Sequence, residues 1–375
     1  MCGWLPERNG FCPPEAPHCD WKPPNVHAPR HTLLRAPNTV SVNRPRHPAL
    51  RPLRLLATGL STPAHWLDST ELDRRLGLPI GSIEARTGVA RRAHEASRSA
   101  AELGAQAARM ALADAGLTLD DIDCLVSANA GPDQALPCNA AFLHRELGLK
   151  GTPAFDVDAS CLSFLLGLDL VAALLAAGRY RRMLLVACDV ASHALDPADP
   201  DTYGLFGDGA AAAVLDAGDG RTGLRALRLE TWSEQVEACG IAGGGSRLPP
   251  TPGDAGYWQA CRFRMDGRRL YRATAAHFDR FVGELLDEAG LGLDAIDRVI
   301  PHQASKLGMQ HVFKSLGVGA ERVEDILASH GNQVAASLPT ALHLALTSGR
   351  LQRGQRALLL GTAAGLTLGG AVLQL

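Results

Sequence analysis

One internal echo limits this chain more than any other feature. Residues 113–126, Ala-Asp-Ala-Gly-Leu-Thr-Leu-Asp-Asp-Ile-Asp-Cys-Leu-Val, are matched at seven of fourteen positions by residues 287–300, an offset of 287 − 113 = 174. Both copies close a helical pattern and open an apolar, strand-like run. A second echo follows, because the helix-Gly-Arg-strand unit at Gly178-Arg179 and Met183–Ala187 recurs at Gly349-Arg350 and Ala357–Gly361. A period this long does not belong to a solenoid. It predicts two similar α/β halves, 51–220 and 221–375, each with helices alternating with mostly buried strands. Two such halves share a cleft, and sites in open α/β sheets form where strands end.

Composition agrees with a large packed core, since 46% of the 375 residues are hydrophobic. A net charge of −2 and a pI near 6.7 give no reason to expect nucleic acid or an anionic membrane as partner. No apolar run has the roughly 18 uncharged residues needed for a membrane span. The N-terminus carries Pro and charge where a signal peptide would be apolar, so the chain is read as cytoplasmic. Its nine cysteines are odd in number and lack close pairs, which suits free thiols in a reducing compartment. Residues 1–50 differ from the rest: Pro13-Pro14, Pro17, Pro23-Pro24, Pro29, Pro37, Pro45 and Pro48 stand among Arg and His without an apolar period. That segment is expected to be a disordered extension. Its Cys2, Cys12, His18, Cys19, His27 and His31 form no paired C-x-x-C knuckle and are not read as a metal site.

The stretch Pro153–Asp189 reads strand, sharp turn, buried helix, turn, strand, with Cys161 where the helix begins. The first N–H groups of a helix are unpaired and its N-terminus is the positive end of the dipole, so a thiol there is expected to ionise more easily than the usual value of about 8.5. In the second half Ile300-Pro301-His302-Gln303-Ala304-Ser305 follows the repeated strand, and Ser329-His330-Gly331-Asn332-Gln333 precedes an apolar helix, Leu338–Leu346. A shared cleft would bring Cys161, His302 and Asn332 together as a soft nucleophile, a neutral donor or base, and a fixed N–H donor for an oxyanion. Each also has a plainer reading: His302 as a core histidine, His330-Gly331-Asn332 as a turn, and Gly207-Asp208-Gly209 as a turn. The Gly- and Pro-rich span Gly240–Gly256 reads as a long surface loop that would cover the cleft.

Seven segments taken in order carry a resemblance. They are Arg86-Thr87-Gly88, Asp156–Cys161, Leu205–Ala210, Arg264–Gly267, Pro301–Ala304, His330–Asn332 and the terminal Gly361–Gly370. The chain resembles the condensing enzymes of the thiolase superfamily, and among them the 3-oxoacyl-ACP synthase III family. The separation 332 − 302 = 30 fits the branch with a Cys-His-Asn triad rather than the elongating ketosynthases, which have His in the Asn place.

The resemblance implies a homodimer with a five-layered α-β-α-β-α thiolase-like fold. It implies decarboxylative Claisen condensation of an acyl thioester, held on Cys161, with malonyl-ACP to give 3-oxoacyl-ACP, without metal or redox cofactor. The backbone N–H groups of Cys161 and Ala364 would hold the acyl oxygen, while His302 and Asn332 would donate to the malonyl thioester. Arg86, Leu136, Phe206 and Ser305 would line the substrate path, with Leu136 contributed across the dimer, and Lys306 and Lys314 would dock the acyl carrier. Four departures stand out. Ser82 and Pro200 replace the usual Trp and Arg that sandwich adenine of CoA, so acyl-CoA and acyl-ACP both remain as donors. Ser305 replaces an Asn, Ala363 and Ala364 replace glycines, and Leu136 stands where head-to-head condensing enzymes place a Glu. Two other readings remain open: an acyltransferase of the same fold that moves the acyl group to an O or N nucleophile without decarboxylation, and a silent subunit that binds carrier protein.

Overall fold

The computed structural model describes residues 50–250 and 253–375. The expected N-terminal extension and its Cys/His cluster lie outside the described residues. Two five-stranded sheets organise the rest. The first runs in the order Arg54–Ser61, Gly209–Asp216, Arg182–Asp189, Cys124–Ser127, Ala154–Asp156, and the second Arg51–Pro52, Gly223–Thr231, Thr367–Gln374, Arg356–Ala363, Arg298–Pro301. Cys124–Ser127 and Arg182–Asp189 pair in parallel, as do Arg298–Pro301 and Arg356–Ala363. Each longer strand of these pairs is flanked on its other side by an antiparallel neighbour.

The offset seen in the sequence is preserved element by element. Strand starts Cys124 and Arg298, strand starts Arg182 and Arg356, and helix C-caps Gly116 and Gly290 are each 174 residues apart. The repeated Ile-Asp has a local reason. Asp123 accepts the backbone N–H groups of Arg181 (2.7 Å) and Arg182 (3.1 Å), and its counterpart Asp297 accepts that of Arg356 (2.8 Å). The carboxylate thus fastens the start of the next parallel strand, which helps set the register.

Layering follows from the two-residue period of a strand. Along Arg182–Asp189, Met183, Leu185 and Ala187 face a central core with the helices Ser163–Ala176 and Ser337–Thr347. Leu184, Val186 and Cys188 face outward onto the helices Ala100–Ala115 and Asn139–Leu147. In the second sheet Ala357 and Leu359 face the centre, while Leu358 and Leu360 face the helix Gly267–Ala289. Helix, sheet, paired central helices, sheet and helix make the five layers of a thiolase-like α/β fold.

Small residues permit this closeness. At Gly59 a Cβ would collide with the backbone of Ala107 and Ala111, so the helix Ala100–Ala115 lies almost directly on the sheet. That helix begins with a reciprocal cap between Ser99 and Glu102. The span expected as a plain loop is more ordered at its ends: Cys239–Gly240 pairs antiparallel with Arg264–Met265, and a short helix, Ala255–Ala260, begins inside it. No helix among the described residues is long and apolar enough to cross a membrane.

Candidate active site

The central helices start alike. A 3-10 turn, Ser160–Leu162, leads into Ser163–Ala176, and another, Val334–Ala336, leads into Ser337–Thr347, again 334 − 160 = 174 apart. The Ser163 hydroxyl accepts the N–H of Ala159 (2.9 Å), and the Ser337 hydroxyl accepts that of Gln333 (2.9 Å). Ser160 and Val334 both have left-handed backbone, φ 51° and 53°. Only one further non-glycine among the described residues shares that conformation, Leu366 at 53°, and all three line one cavity. For β-branched Val334 the conformation is a genuine outlier. Strain of this kind is retained where the surroundings dictate it, commonly at a functional site.

Cys161 sits in the first turn with its sulfur facing the cavity, and the backbone N–H groups of Cys161 itself and of Ala364 reach that sulfur. The thiol nevertheless does not ionise easily. Burial pushes it upward, Cys239 and the Asp189 carboxylate push in the same direction, and the two N–H groups only partly compensate. The expectation drawn from the helix dipole is therefore corrected: loss of hydration outweighs the favourable helix end.

His302 follows the strand Arg298–Pro301, its N–H donating to Leu360 O at 2.7 Å. Burial lowers its imidazole to about 4, so the ring is neutral near pH 7, and its Nδ1 is buried without a partner. Asn332 is held against Phe206: its N–H donates to Leu205 O (2.9 Å), and its carbonyl accepts from Gly207 N (3.0 Å). Its amide is oriented by two bonds, Oδ1 accepting from Val334 N (2.9 Å) and Nδ2 donating to Ala304 O (3.2 Å). One amide N–H is left over. Ala304 N in turn donates to His302 O at 2.8 Å, so a single residue links the two polar groups.

Cys161, His302, Asn332 and Ala364 all line a cavity of about 430 Å³ whose walls include Leu195, Phe206, Phe263, Met265 and Phe278. Phe206 meets Phe263 edge to face at 5.1 Å. Ser305 also lines the cavity, but its hydroxyl caps the helix Lys306–Leu316 by accepting the Gly308 N–H at 3.1 Å. The other expected residues lie outside the cavity wall. Arg86 is exposed and pairs with Asp201 at 3.0 Å. Lys306 Nζ donates to Ala85 O at 2.8 Å, Lys314 is exposed, and Leu136 is 81% exposed. Ser82 donates to Pro79 O at 2.5 Å, and Pro200 opens a short helix packed near it. Among the described residues no cluster of three or more His, Cys, Asp or Glu is arranged to hold a metal ion.

Three supporting residues escaped the sequence reading. Gly207-Asp208-Gly209 is not a surface turn: Asp208 is fully buried and accepts from Glu95 N (2.7 Å), Ser192 N (2.9 Å) and Ser192 Oγ (2.6 Å). Gln303 is equally buried, donating to Pro301 O (2.7 Å) and Glu324 O (3.1 Å) and accepting from Ile326 N (3.0 Å). Asp189, on the cavity wall, accepts from Ala130 N and Gly131 N, both at 2.9 Å, and from Ala335 N at 3.1 Å. Burial raises its carboxyl to about 6 despite those donors. Only the adjacent His-Gln-Ala motif could have drawn attention to Gln303 in the sequence.

Comparison with known proteins gives concordant results. Residues 155–233 match the family model described as 3-oxoacyl-[acyl-carrier-protein (ACP)] synthase III, and residues 286–375 match its C-terminal model. The chain is similar to a beta-ketoacyl-[acyl-carrier-protein] synthase III of Sphingopyxis alaskensis, 37% identical over 323 residues, covering 85% of this chain and 98% of that protein. A 3-oxoacyl-(acyl carrier protein) synthase III from Pseudomonas aeruginosa has a crystal structure with TM-score 0.78 and 34% identity, covering 86% of this chain and 98% of that one. The priming beta-ketosynthase of a polyketide biosynthetic pathway is similar at TM-score 0.79 and 27% identity, covering 87% and 97% of the two chains.

Proposed function

The chain belongs to the 3-oxoacyl-[acyl-carrier-protein] synthase III family, and from that premise we propose how its own residues carry out the condensation of an acyl thioester with malonyl-ACP. It is a condensing enzyme. As an acyltransferase it first moves the acyl group onto Cys161, the thiol proton leaving with the departing thiol. The acyl oxygen then lies between the N–H groups of Cys161 and Ala364, both of which already reach the sulfur. Malonyl-ACP follows. His302 and the free N–H of Asn332 donate to its thioester oxygen, so loss of CO2 leaves a stabilised enolate. The enolate carbon attacks the acyl carbonyl, the bond to Cys161 breaks, and 3-oxoacyl-ACP departs as the thiolate regains a proton.

The observation that carries this reading is the convergence in one cavity of Cys161, the two backbone donors, and a His302–Asn332 pair coupled through Ala304. The bare Nδ1 of His302 fits the assignment. An unpartnered acceptor is tolerated more readily than a buried unpartnered N–H, which favours the tautomer whose Nε2–H donates.

Phe206 and Ser305 would flank the substrate arm, and Arg86, Lys306 and Lys314 would meet the carrier outside the cavity. We infer a cytoplasmic homodimer, a reading supported by the exposed Leu136, which would gain cover from a second copy. With Ser82 and Pro200 where an adenine sandwich would stand, acyl-pantetheine should serve nearly as well as acyl-CoA.

The deciding experiment incubates the protein with acyl-CoA and acyl-ACP donors, with and without malonyl-ACP, and measures intact masses of enzyme and carrier. An adduct absent from Cys161→Ala, with a 3-oxoacyl carrier product and released CO2, is expected. An adduct that malonyl-ACP never discharges would sink the condensing role and favour transfer to another acceptor.

A further inference from the structure

The two central helix starts, alike in conformation, are met by opposite partners. The strand Arg182–Asp189 ends against the Val334–Ala336 turn of the other half, and Asp189, its last residue, accepts the N–H group of Ala335 there. The strand Arg356–Ala363 ends against the Ser160–Leu162 turn, and its last residue is Ala363, where 363 − 189 = 174. Both terminal residues face the central layer, because they continue the inward alternation of Leu185 and Ala187 and of Ala357 and Leu359. Position 335, the counterpart of Cys161, is an alanine. One helix start therefore has a carboxylate and no nucleophile, and the other has a nucleophile and no carboxylate.

We propose that Asp189 is a positioning residue that acts as a resident anion at the second half's copy of the Cys161 helix start. The two starts share the helix-turn donor: the Ala335 N–H that Asp189 takes is the counterpart of the Cys161 N–H, which is left open because its own strand ends in Ala363. Two buried carboxylate oxygens meet three backbone N–H groups, those of Ala130 and Gly131 in one half and of Ala335 in the other. Charge-assisted bonds of this kind are short and directional. They fix the turn that carries Asn332 and Val334 relative to the loop beside Cys161, and so hold the decarboxylating pair at the distance the acyl-enzyme needs. The open twin receives the substrate's oxygen instead. The inference rests on the oxyanion role given above to the Cys161 and Ala364 N–H groups.

The test uses the full chain and formate as a stand-in anion. In Asp189→Ala the three donors lose their partner beside an open cavity, so melting temperature and condensation rate should both fall, the rate by about tenfold or more. Formate at tens of millimolar should restore part of both in this variant and do nothing to the parent, with chloride as the ionic-strength control. Formate without effect on the variant, or with equal effect on the parent, overturns the proposal. Should Asp189→Ala not fold, Asp189→Asn preserves shape but cannot accept from all three donors, which are divided between the two carboxylate oxygens. It should still acylate Cys161 while losing the malonyl-dependent step, and parental rate and melting temperature in it would overturn the idea equally.

The converse variant is Ala363→Asp. It should cap the Cys161 turn with its own carboxylate, keeping or raising the melting temperature while lowering acylation about a hundredfold. Ala363→Leu, which adds bulk without charge, should lower the melting temperature. An Ala363→Asp protein as destabilised as the leucine variant, or acylated at the parental rate, refutes the twin-site relation. If no thioester acylates even the parent, the functional reading fails, yet the formate effect on melting still decides the role of Asp189.

Discussion

At the scale of single residues, two buried groups in one cavity titrate in opposite senses. His302, lowered to about 4 by burial, binds its proton less readily folded than unfolded, so its contribution to stability is full above its ordinary value near 6.5 and is lost as pH falls toward 4. Asp189, raised by burial to about 6, binds its proton more readily folded, so stability is gained as pH falls from above 6 toward the ordinary carboxylate range. Each shift corresponds to about 3 kcal/mol, and over this interval the two nearly cancel. We expect His302→Gln to gain stability on acidification from pH 7 to 4 relative to the parent, and Asp189→Asn to lose it, measured by urea unfolding across that range. Parallel pH profiles for the two variants would refute the assignment. The same balance explains what escaped the sequence. Cys161 was legible as a candidate nucleophile from its place at a helix start together with the resemblance, but its resistance to ionisation depends on burial and on the electrostatic influence of Cys239 and Asp189, which lie elsewhere along the chain.

At the scale of elements, the cavity depends on backbones that touch. A Cβ on Gly207 would strike the carbonyl of His330, a main-chain atom that cannot turn aside, whereas one on Gly209 would strike the terminal amide of the Gln333 side chain. Gly207→Ala should therefore displace the Asn332 turn and reduce condensation about tenfold or more. Gly209→Ala should cost less, because a side chain can give way; equal losses in both would count against this account. The strained Val334 offers a complementary case. Replacing it with Gly removes the left-handed penalty, of order 1 kcal/mol, offset by a freer unfolded chain. Val334→Gly should thus keep the parental melting temperature while slowing malonyl-ACP decarboxylation; a large drop in melting temperature would show that the side chain, not the turn, is what the site needs. Gly-Asp-Gly looked like a turn because local composition carries no sign of the partners Glu95 and Ser192 that bury Asp208. The repeat, by contrast, was readable because Ala-Gly-Leu and Ile-Asp perform the same local task in both halves, closing a helix and fastening a strand.

For the whole molecule, the layers were foreseeable from alternation and duplication, with the resemblance supplying their order. The crossing of the halves was not, because no repeat reveals that each strand ends against the other half's helix. Nor did the sequence suggest that Arg51–Pro52 leaves the first half to become the edge of the second sheet, paired with Gly223–Thr231, while the Arg51 guanidinium pairs with Asp169 on the central helix. A chain shortened to begin at residue 53, which keeps the buried Leu53, should melt below one that begins at residue 51 and should form aggregates that bind amyloid dyes, whereas identical behaviour of the two would show that the edge is dispensable. The short strand contributes few contacts, but it blunts a nine-residue strand whose other side is already occupied. A first pair of residues laid along that rim acts as a selvedge, keeping neighbouring copies from continuing the sheet from one molecule into the next.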